Sequence, residues 1–185
     1  MRKAEQIGFP VVLKIISPDI LHKSDVGGVK VKLMNREEVE KAYDEIINNV
    51  KKAKEDARII GMLVQEYAPA GREVIVGLTK DPQFGPTIMF GVGGIFVEIY
   101  EDVSFRVAPI DYEEAEEMIK EIRGYKLLMG ARGEKPSDIE VLKKIIVGVS
   151  DIAMKYPMIK EMDLNPIEVY EKGAKIVDAR IILEV

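Results

Sequence analysis

The sequence predicts an α+β fold in two lobes, and three observations predict it. Apolar residues follow strand alternation in some stretches and helical spacing in others. The elements read β-β-α-β-β-β-β-β-α-α-β-β, a mixed order without the βαβ repeat of parallel folds. The chain has 185 residues, 47% hydrophobic and 32% charged, enough for one good core divided between two lobes.

Met1 to Ile7 read as the tail of a helix cut short at its start. Val11–Ile16 and Val29–Leu33 are β-branched strands flanking the polar loop His-Lys-Ser-Asp-Val-Gly-Gly. Asn35 is the expected N-cap of a helix over Arg36–Lys54, whose Val39, Ala42, Tyr43, Ile46, Ile47 and Val50 keep helical spacing. Strands at Ile59–Tyr67 and Glu73–Thr79 are joined by a Pro69-Ala-Gly71 turn. Asp81-Pro82 and Gly85-Pro86 bracket a loop, and Thr87–Phe90 and Ile95–Ile99 are short strands around Gly91, Gly93 and Gly94. Ser104–Ala108 is a further strand, followed by a helix from about Tyr112 to Ile122. Ser137 is the expected N-cap of an amphipathic helix over Asp138–Lys155. A hairpin turning at Glu171, Lys172 and Gly173 closes the sequence.

Composition excludes several classes of chemistry. The absence of cysteine removes disulfides, thiolate catalysis and Cys-zinc sites. A net charge of −5 supplies no general attraction for nucleic acid or an anionic membrane, so any phosphate binding has to come from local cations. No apolar run approaches the ~20 residues that span a bilayer, and no signal peptide opens the chain, so a cytoplasmic location is expected. Lys and Glu are abundant and Cys, Asn and Gln scarce, as in hyperthermophile usage.

Two stretches carry chemistry. In EMDLNPIEVYEKGAKIVDARI, Asp163 and Asn165 lie two apart on a strand and leave the same face. A hairpin brings Asp178 near Asn165 across the ladder. Two carboxylates and an amide oxygen form an all-oxygen site that suits Mg²⁺; the bland alternative is a solvated strand face with an Asn-Pro turn. In GFPVVLKIISPDILHKSDVGGVKVKL, Lys14 sits inside an apolar strand, where an ammonium needs an anion or a route to water. Gly27 and Gly28 let backbone N–H groups approach a phosphate, although an ordinary glycine-bearing hairpin loop reads the same way. The stretch is neither a Walker A loop nor a GxGxxG fingerprint.

LVQEYAPAGREVIVG, the paired-glycine loop, GVGGIFVE and DLNP followed by VDAR, in this order, resemble the ATP-grasp fold. More narrowly, SPDILHKSDVGGV and MFGVGGIFVEIYEDVSFRVAPI resemble the β subunit of ADP-forming acyl-CoA synthetases, relatives of succinyl-CoA synthetase. The resemblance implies two α+β lobes clasping ATP or ADP with Mg²⁺: a smaller one over 1–64 with a phosphate-covering loop, and a larger one over 65–185 with the hinge and metal site. Family members carry a few dozen more residues before GFPVVLK, so the N-terminal part is expected to be truncated. The resemblance implies phosphate contact for Lys14 and a phosphate-covering loop at Gly27 and Gly28. It implies a hinge that reads adenine at Gln65, Glu66 and Tyr67, and ribose hydroxyls held by Glu73. Asn165 and Asp178 match metal ligands, and Asp163 a nearby acidic residue of the catalytic centre.

His22 is the single histidine. It sits beside Lys23 and close to the glycine pair, and neutral imidazole is nucleophilic near neutral pH. A lone histidine more often has no chemistry, but the resemblance implies a phosphoryl relay here. It also implies a CoA-binding α subunit carrying a phosphohistidine, and hence a hetero-oligomer. Gly93 and Gly94 read as a functional loop or as turn formers, and Arg106 reads as an ion-pair partner ahead of a phosphate clamp. The expected activity is acyl-CoA + ADP + Pi ⇌ acid + CoA + ATP, of which this chain performs the nucleotide half. Two rivals stand beside it: a carboxylate ligase of the same fold working through an acyl phosphate, for which His22 is dispensable, and a non-catalytic nucleotide-sensing module.

Overall fold

The computed structural model describes residues 2–20, 22–94, 101–130 and 133–184, and the strand expected at Ile95–Ile99 lies outside them. The chain divides into two compact units, Met1–Tyr67 and Ala68–Val185, so Gln65, Glu66 and Tyr67 close the first.

Unit 1 runs α1 (Arg2–Ile7), β1 (Val11–Ile16), β2 (Val29–Leu33), α2 (Arg36–Ala53) and β3 (Gly61–Glu66). Its sheet is antiparallel in the order β2-β1-β3. Val11, Leu13 and Ile15 of β1 pack with Val39, Ala42, Ile46 and Val50 of α2. The Asn35 side chain starts α2 by accepting the Glu38 N–H at 2.9 Å, and the Glu38 carboxylate accepts the Met34 N–H at 2.8 Å. β2 departs from plain alternation. Val11 pairs with Leu33 but Leu13 with Lys30, so β2 carries an extra residue, and Lys32 stands there at φ 56°.

Unit 2 contains β4 (Arg72–Asp81), β5 (Gly85–Val92), β6 (Val103–Val107), α3 (Tyr112–Glu121), α4 (Tyr125–Leu128) and α5 (Ile139–Lys155). Three strands follow: β7 (Ile159–Val169), β8 (Ala174–Ile176) and β9 (Ala179–Leu183). The antiparallel sheet has the order β6-β5-β4-β7-β8, and β9 also pairs with β7. One face is apolar: Val74, Val76, Leu78, Ile88, Phe90, Met162, Leu164 and Ile167 form a core with Met118 and Ile119 of α3 and Leu142 and Ile146 of α5. Full burial of each such side chain contributes about 1.5–3 kcal/mol. With the helices on that face, the alternating residues of β4 and β7 are left for a site on the other.

Three expectations change. The loop at 81–86 is a tight turn between long strands, because Asp81 Oδ1 accepts the N–H groups of Gln83 (2.7 Å) and Phe84 (2.9 Å) and lets pairing run to the turn. Asp138, not Ser137, caps α5: its Oδ1 accepts the Val141 N–H at 3.1 Å, while the Ser137 N–H donates to the Leu128 carbonyl. The short α4 carries no spacing signal in four residues. Among the described residues, no helix is long and apolar enough to cross a membrane.

Candidate functional site

In unit 2 the site residues are arranged by a defect in β7. Met162 and Leu164 point into the core, as do Ile167 and Val169, so the inward positions switch from even to odd. The switch marks an extra residue in β7: Val76 pairs with Leu164, but Val74 pairs with Ile167. Pro166 suits this spot because it has no N–H to give to the ladder. The bulge puts Asp163, and then Glu168, on the face away from the core.

Asp163, Asn165 and Asp178 come together beside the bulge. The Asn165 N–H donates to the Asp178 carbonyl at 3.1 Å, and the Val177 N–H to the Pro166 carbonyl at 2.9 Å. Asp163 stands opposite Arg180 of β9. Burial pushes the Asp163 carboxyl above its ordinary range; the Arg180 charge works against this and the Asp178 charge adds to it. Among the described residues no group of three or more His, Cys, Asp or Glu side chains could hold a metal ion by itself. Two carboxylates and an amide oxygen nevertheless fit Mg²⁺, which keeps waters and substrate phosphates in its octahedron and needs only one or two protein carboxylates.

Glu73 lies at the start of β4, between the buried Val74 and the turn at Gly71. Its carbonyl accepts the Gly93 N–H at 2.8 Å, and a Cβ on Gly93 would stand 3.0 Å from the Glu73 Cβ. Gly93 therefore serves close approach to the Glu73 backbone. Arg106 binds Glu121 of α3 at 2.9 Å, which is the ion-pair reading.

Unit 1 holds Lys14, His22, Gly27, Gly28, Gln65, Glu66 and Tyr67. Lys14 is only 6% exposed on the central strand, opposite Val29 and Leu63. Next to it, the Ile15 N–H donates to the Gly28 carbonyl at 2.8 Å, so the strand and the glycine loop touch directly. The glycine N–H groups are used inside the loop: Gly27 donates to Ser24 (3.0 Å) and Gly28 to Lys23 (2.7 Å). A Cβ on Gly28 would lie 2.8 Å from both Ile15 Cγ2 and the Lys23 carbonyl oxygen. Packing thus requires glycine here in this conformation, and contact between these N–H groups and a phosphate would require the loop to rearrange. His22 is exposed. Gln65 and Glu66 lie on β3, an edge strand whose alternate backbone groups point away from β1, and the Tyr67 N–H donates to the Pro10 carbonyl at 3.3 Å.

Two residues of the unit 2 face escaped the sequence reading, Glu168 and Arg180. Arg180 follows Asp178 by two, and its register opposite Asp163 needed the pairing of β9. For Glu168 the available signal was Pro166 inside a strand, which marks a bulge and a change of parity.

A family model for the ATP-grasp domain matches residues 1–183. The chain is 57% identical over 178 residues to the beta subunit of acetate–CoA ligase [ADP-forming] I of Pyrococcus furiosus, covering 96% of this chain and 77% of that one. It is 52% identical over 180 residues to acetate–CoA ligase [ADP-forming] I of Archaeoglobus fulgidus; there the match covers 97% of this chain but 26% of the longer relative. Among solved structures, it superposes on the dinucleotide forming acetyl-coenzyme A synthetase 1 of Ca. Korarchaeum cryptofilum, in complex with coenzyme A, Ca-AMPCP and HgCl⁺. The TM-score is 0.97 at 59% identity, over 99% of this chain and 80% of that one. A second structure of that synthetase holds coenzyme A and Mg-AMPPCP, with a phosphohistidine segment pointing towards the nucleotide binding site; its TM-score is 0.87 at 56% identity, over 99% and 80% of the two chains.

Proposed function

This chain belongs to the ATP-grasp β subunits of ADP-forming acyl-CoA synthetases, and from that premise we propose that it binds ATP or ADP and exchanges the γ-phosphoryl group with a histidine. The observation that carries this reading is the cluster of Asp163, Asn165 and Asp178, in which the Asn165 N–H donates to the Asp178 backbone carbonyl and the Asp178 charge acts on the Asp163 carboxyl. A site of oxygen donors alone suits a metal–nucleotide complex, and the bound Mg²⁺ nucleotide analogue in the korarchaeal relative supports it.

Each residue then has a task. Lys14, held at 6% exposure on a rigid central strand, neutralises phosphate charge. Gln65, Glu66 and Tyr67 present the backbone of an edge strand to adenine. Glu73 accepts hydrogen bonds from the ribose hydroxyls. Gly27 and Gly28 let loop 22–28 close over phosphate. Asn165 and Asp178 hold Mg²⁺, which supplies charge neutralisation on the phosphate oxygens. Asp163 accepts the second N–H of the reacting imidazole and so keeps its other nitrogen a nucleophile. In the ATP-consuming direction the bond from γ-phosphorus to the bridging oxygen breaks, a phosphorus–nitrogen bond forms, and ADP leaves; ATP synthesis reverses these steps. Positioning and charge neutralisation supply most of the acceleration expected for such a transfer.

The reacting histidine belongs to a CoA-binding α subunit, with His22 as a relay on this chain. The designation of the pyrococcal relative as a beta subunit supports a partner chain. The test incubates the chain with its α subunit, Mg²⁺ and γ-labelled ATP, and scores acid-labile, alkali-stable label on each resolved chain. Label on α that requires this chain and falls sharply in His22→Ala is expected. Undiminished label in the variant would return His22 to a structural role. No label despite ATP binding would point to a carboxylate ligase or a sensor.

A further inference from the structure

The backbone that opens unit 2 is pinned almost residue by residue. The Tyr170 hydroxyl donates to the Pro69 carbonyl at 2.9 Å, and the Gly71 N–H donates to Glu168 Oε2 at 2.7 Å. Arg72 pairs with Glu134, and the Glu73 carbonyl takes the Gly93 N–H at 2.8 Å. Among these anchors Glu168 is the unusual one. It is a carboxylate only 9% exposed, and it stands directly opposite Glu73 in the β4–β7 register. Two acidic side chains in opposed positions destabilise a sheet, and burial of one adds to the cost.

We propose that Glu168 is a positioning residue, whose buried carboxylate holds Gly71 and thereby aims Glu73 at the ribose hydroxyls of the nucleotide. The inference rests on the ribose reading of Glu73. Three features support it. First, Gly71 admits no side chain: a Cβ there would lie 2.6 Å from the Val169 carbonyl oxygen and 2.9 Å from Tyr170 Cε1. Only glycine brings its N–H so close to β7. Second, Gly71 precedes Glu73 by two residues at the mouth of β4, so the bond from its N–H to Glu168 holds the end of the strand that carries Glu73 against β7. Third, the nearby negative charge of Glu168 repels the Glu73 carboxylate from β7 and narrows its rotamers.

The electrostatics are consistent with a carboxylate kept for position. Burial raises the Glu168 pKa, the hydrogen bond from Gly71 counters this, and the Glu73 charge raises it further. A site preorganised to bond hydroxyls discriminates most strongly against an analogue that lacks them. The ratio of ADP to 2′-deoxy-ADP affinity is therefore the quantity Glu168 controls.

Calorimetric titration of the full chain with ADP and with 2′-deoxy-ADP, both with Mg²⁺, tests this. In Glu168→Leu the preference for ADP is expected to fall about tenfold, the worth of one charge-assisted hydrogen bond. Glu168→Gln, whose amide oxygen still accepts from Gly71, should keep most of it. Glu73→Ala should abolish the preference, and adding Glu168→Leu to it should change nothing more. Should Glu168→Leu not fold, Glu168→Asp withdraws the acceptor from Gly71 and reads the same ratio. A role in stability alone would weaken both ligands equally and leave the ratio untouched, which overturns the proposal. If Glu73→Ala itself leaves the ratio unchanged, the ribose reading fails and takes this inference with it. If Glu73→Ala removes the preference while Glu168→Leu keeps it, the ribose reading stands and Glu168 does not position.

Discussion

The two site-bearing segments are held in opposite ways. Loop 22–28 of unit 1 is held by backbone groups and one amide: Gly27 donates to Ser24, Gly28 to Lys23, the Ile15 N–H of β1 to the Gly28 carbonyl at 2.8 Å, and Asn49 of α2 to the Gly27 carbonyl at 3.4 Å. The carboxylate hairpin of unit 2 is tied to separate elements: Asn165 to Asp178, Gly173 to Asp138 at the start of α5, and Gly71 to Glu168. Rearranging the first costs a few neutral backbone hydrogen bonds, one of them to β1. Rearranging the second strips the Glu168 and Asp138 carboxylates of backbone N–H donors, bonds worth about 1.5–3 kcal/mol each. The roles proposed for the two segments, a phosphate loop that closes and a rigid platform for metal and ribose, call for these two constructions.

The largest expected effect tests whether the charge in unit 1 is functional. Lys14→Met removes an ammonium at 6% exposure and leaves an unbranched apolar chain of similar length. ADP affinity should fall roughly 10–100-fold, the loss of one or two charge-assisted contacts, while the chain still melts cooperatively. Calorimetry and a melting curve on the same sample check both halves. Unchanged affinity with a lowered midpoint would make Lys14 a structural residue, and the contrast between the two segments would lose its functional meaning.

Much of this arrangement was legible in the sequence because it rests on local pattern. The helices follow apolar spacing and named caps. The Asp178–Asn165 contact follows from a short hairpin whose turn residues stand in plain view. The missing parts depend on residues far apart. Asp138 replaces Ser137 as the cap partly because its second oxygen meets Gly173, which lies 35 residues further on. Glu168 reaches the site face only because β7 gains a residue at Pro166, and strict alternation would have sent it into the core. The glycine pair carries a second constraint that local pattern does not show. Its lack of side chains suggests N–H groups that can approach phosphate, and packing against Ile15 and Lys23 separately requires glycine at position 28.

A middle-sized effect probes the stapling of unit 2. Asp138→Ala removes both the cap of α5 and the tie to the Gly173 turn, and should cost about 1–2 kcal/mol near neutral pH. The sign with pH follows from the lowered Asp138 pKa, which the Gly173 and then the Val141 N–H groups cause. A carboxyl depressed in the folded state contributes fully above its unfolded value of about 4 and loses that contribution as pH falls through the folded one. Urea midpoints for the two proteins should therefore differ most above about pH 4 and converge in stronger acid. A gap independent of pH would show that the charge of Asp138 is irrelevant to the staple.

The smallest effect asks whether unit 1 has a rigid part of its own. Lys32 adopts φ 56° within the β2 bulge, a left-handed conformation that costs a residue with a Cβ about 1–2 kcal/mol and glycine nothing. The bulge sets the register that puts Val29 opposite Lys14 and lets Lys30 reach Glu45 at 2.6 Å. Lys32→Gly relieves the backbone but loosens the unfolded chain by about 0.5–1 kcal/mol, so a net gain of about 0.5 kcal/mol is expected. Lys32→Val should move the other way by about 1–2 kcal/mol, because a β-branched side chain tolerates this region least. Denaturant titrations of the pair check the signs. Opposite signs would mean that β2 is locked in register by its bulge, leaving loop 22–28 as the movable element between two fixed strands. Equal, negligible changes would mean that the bulge relaxes when substituted, and that the adaptable region of unit 1 extends through β2 to the strand carrying Lys14.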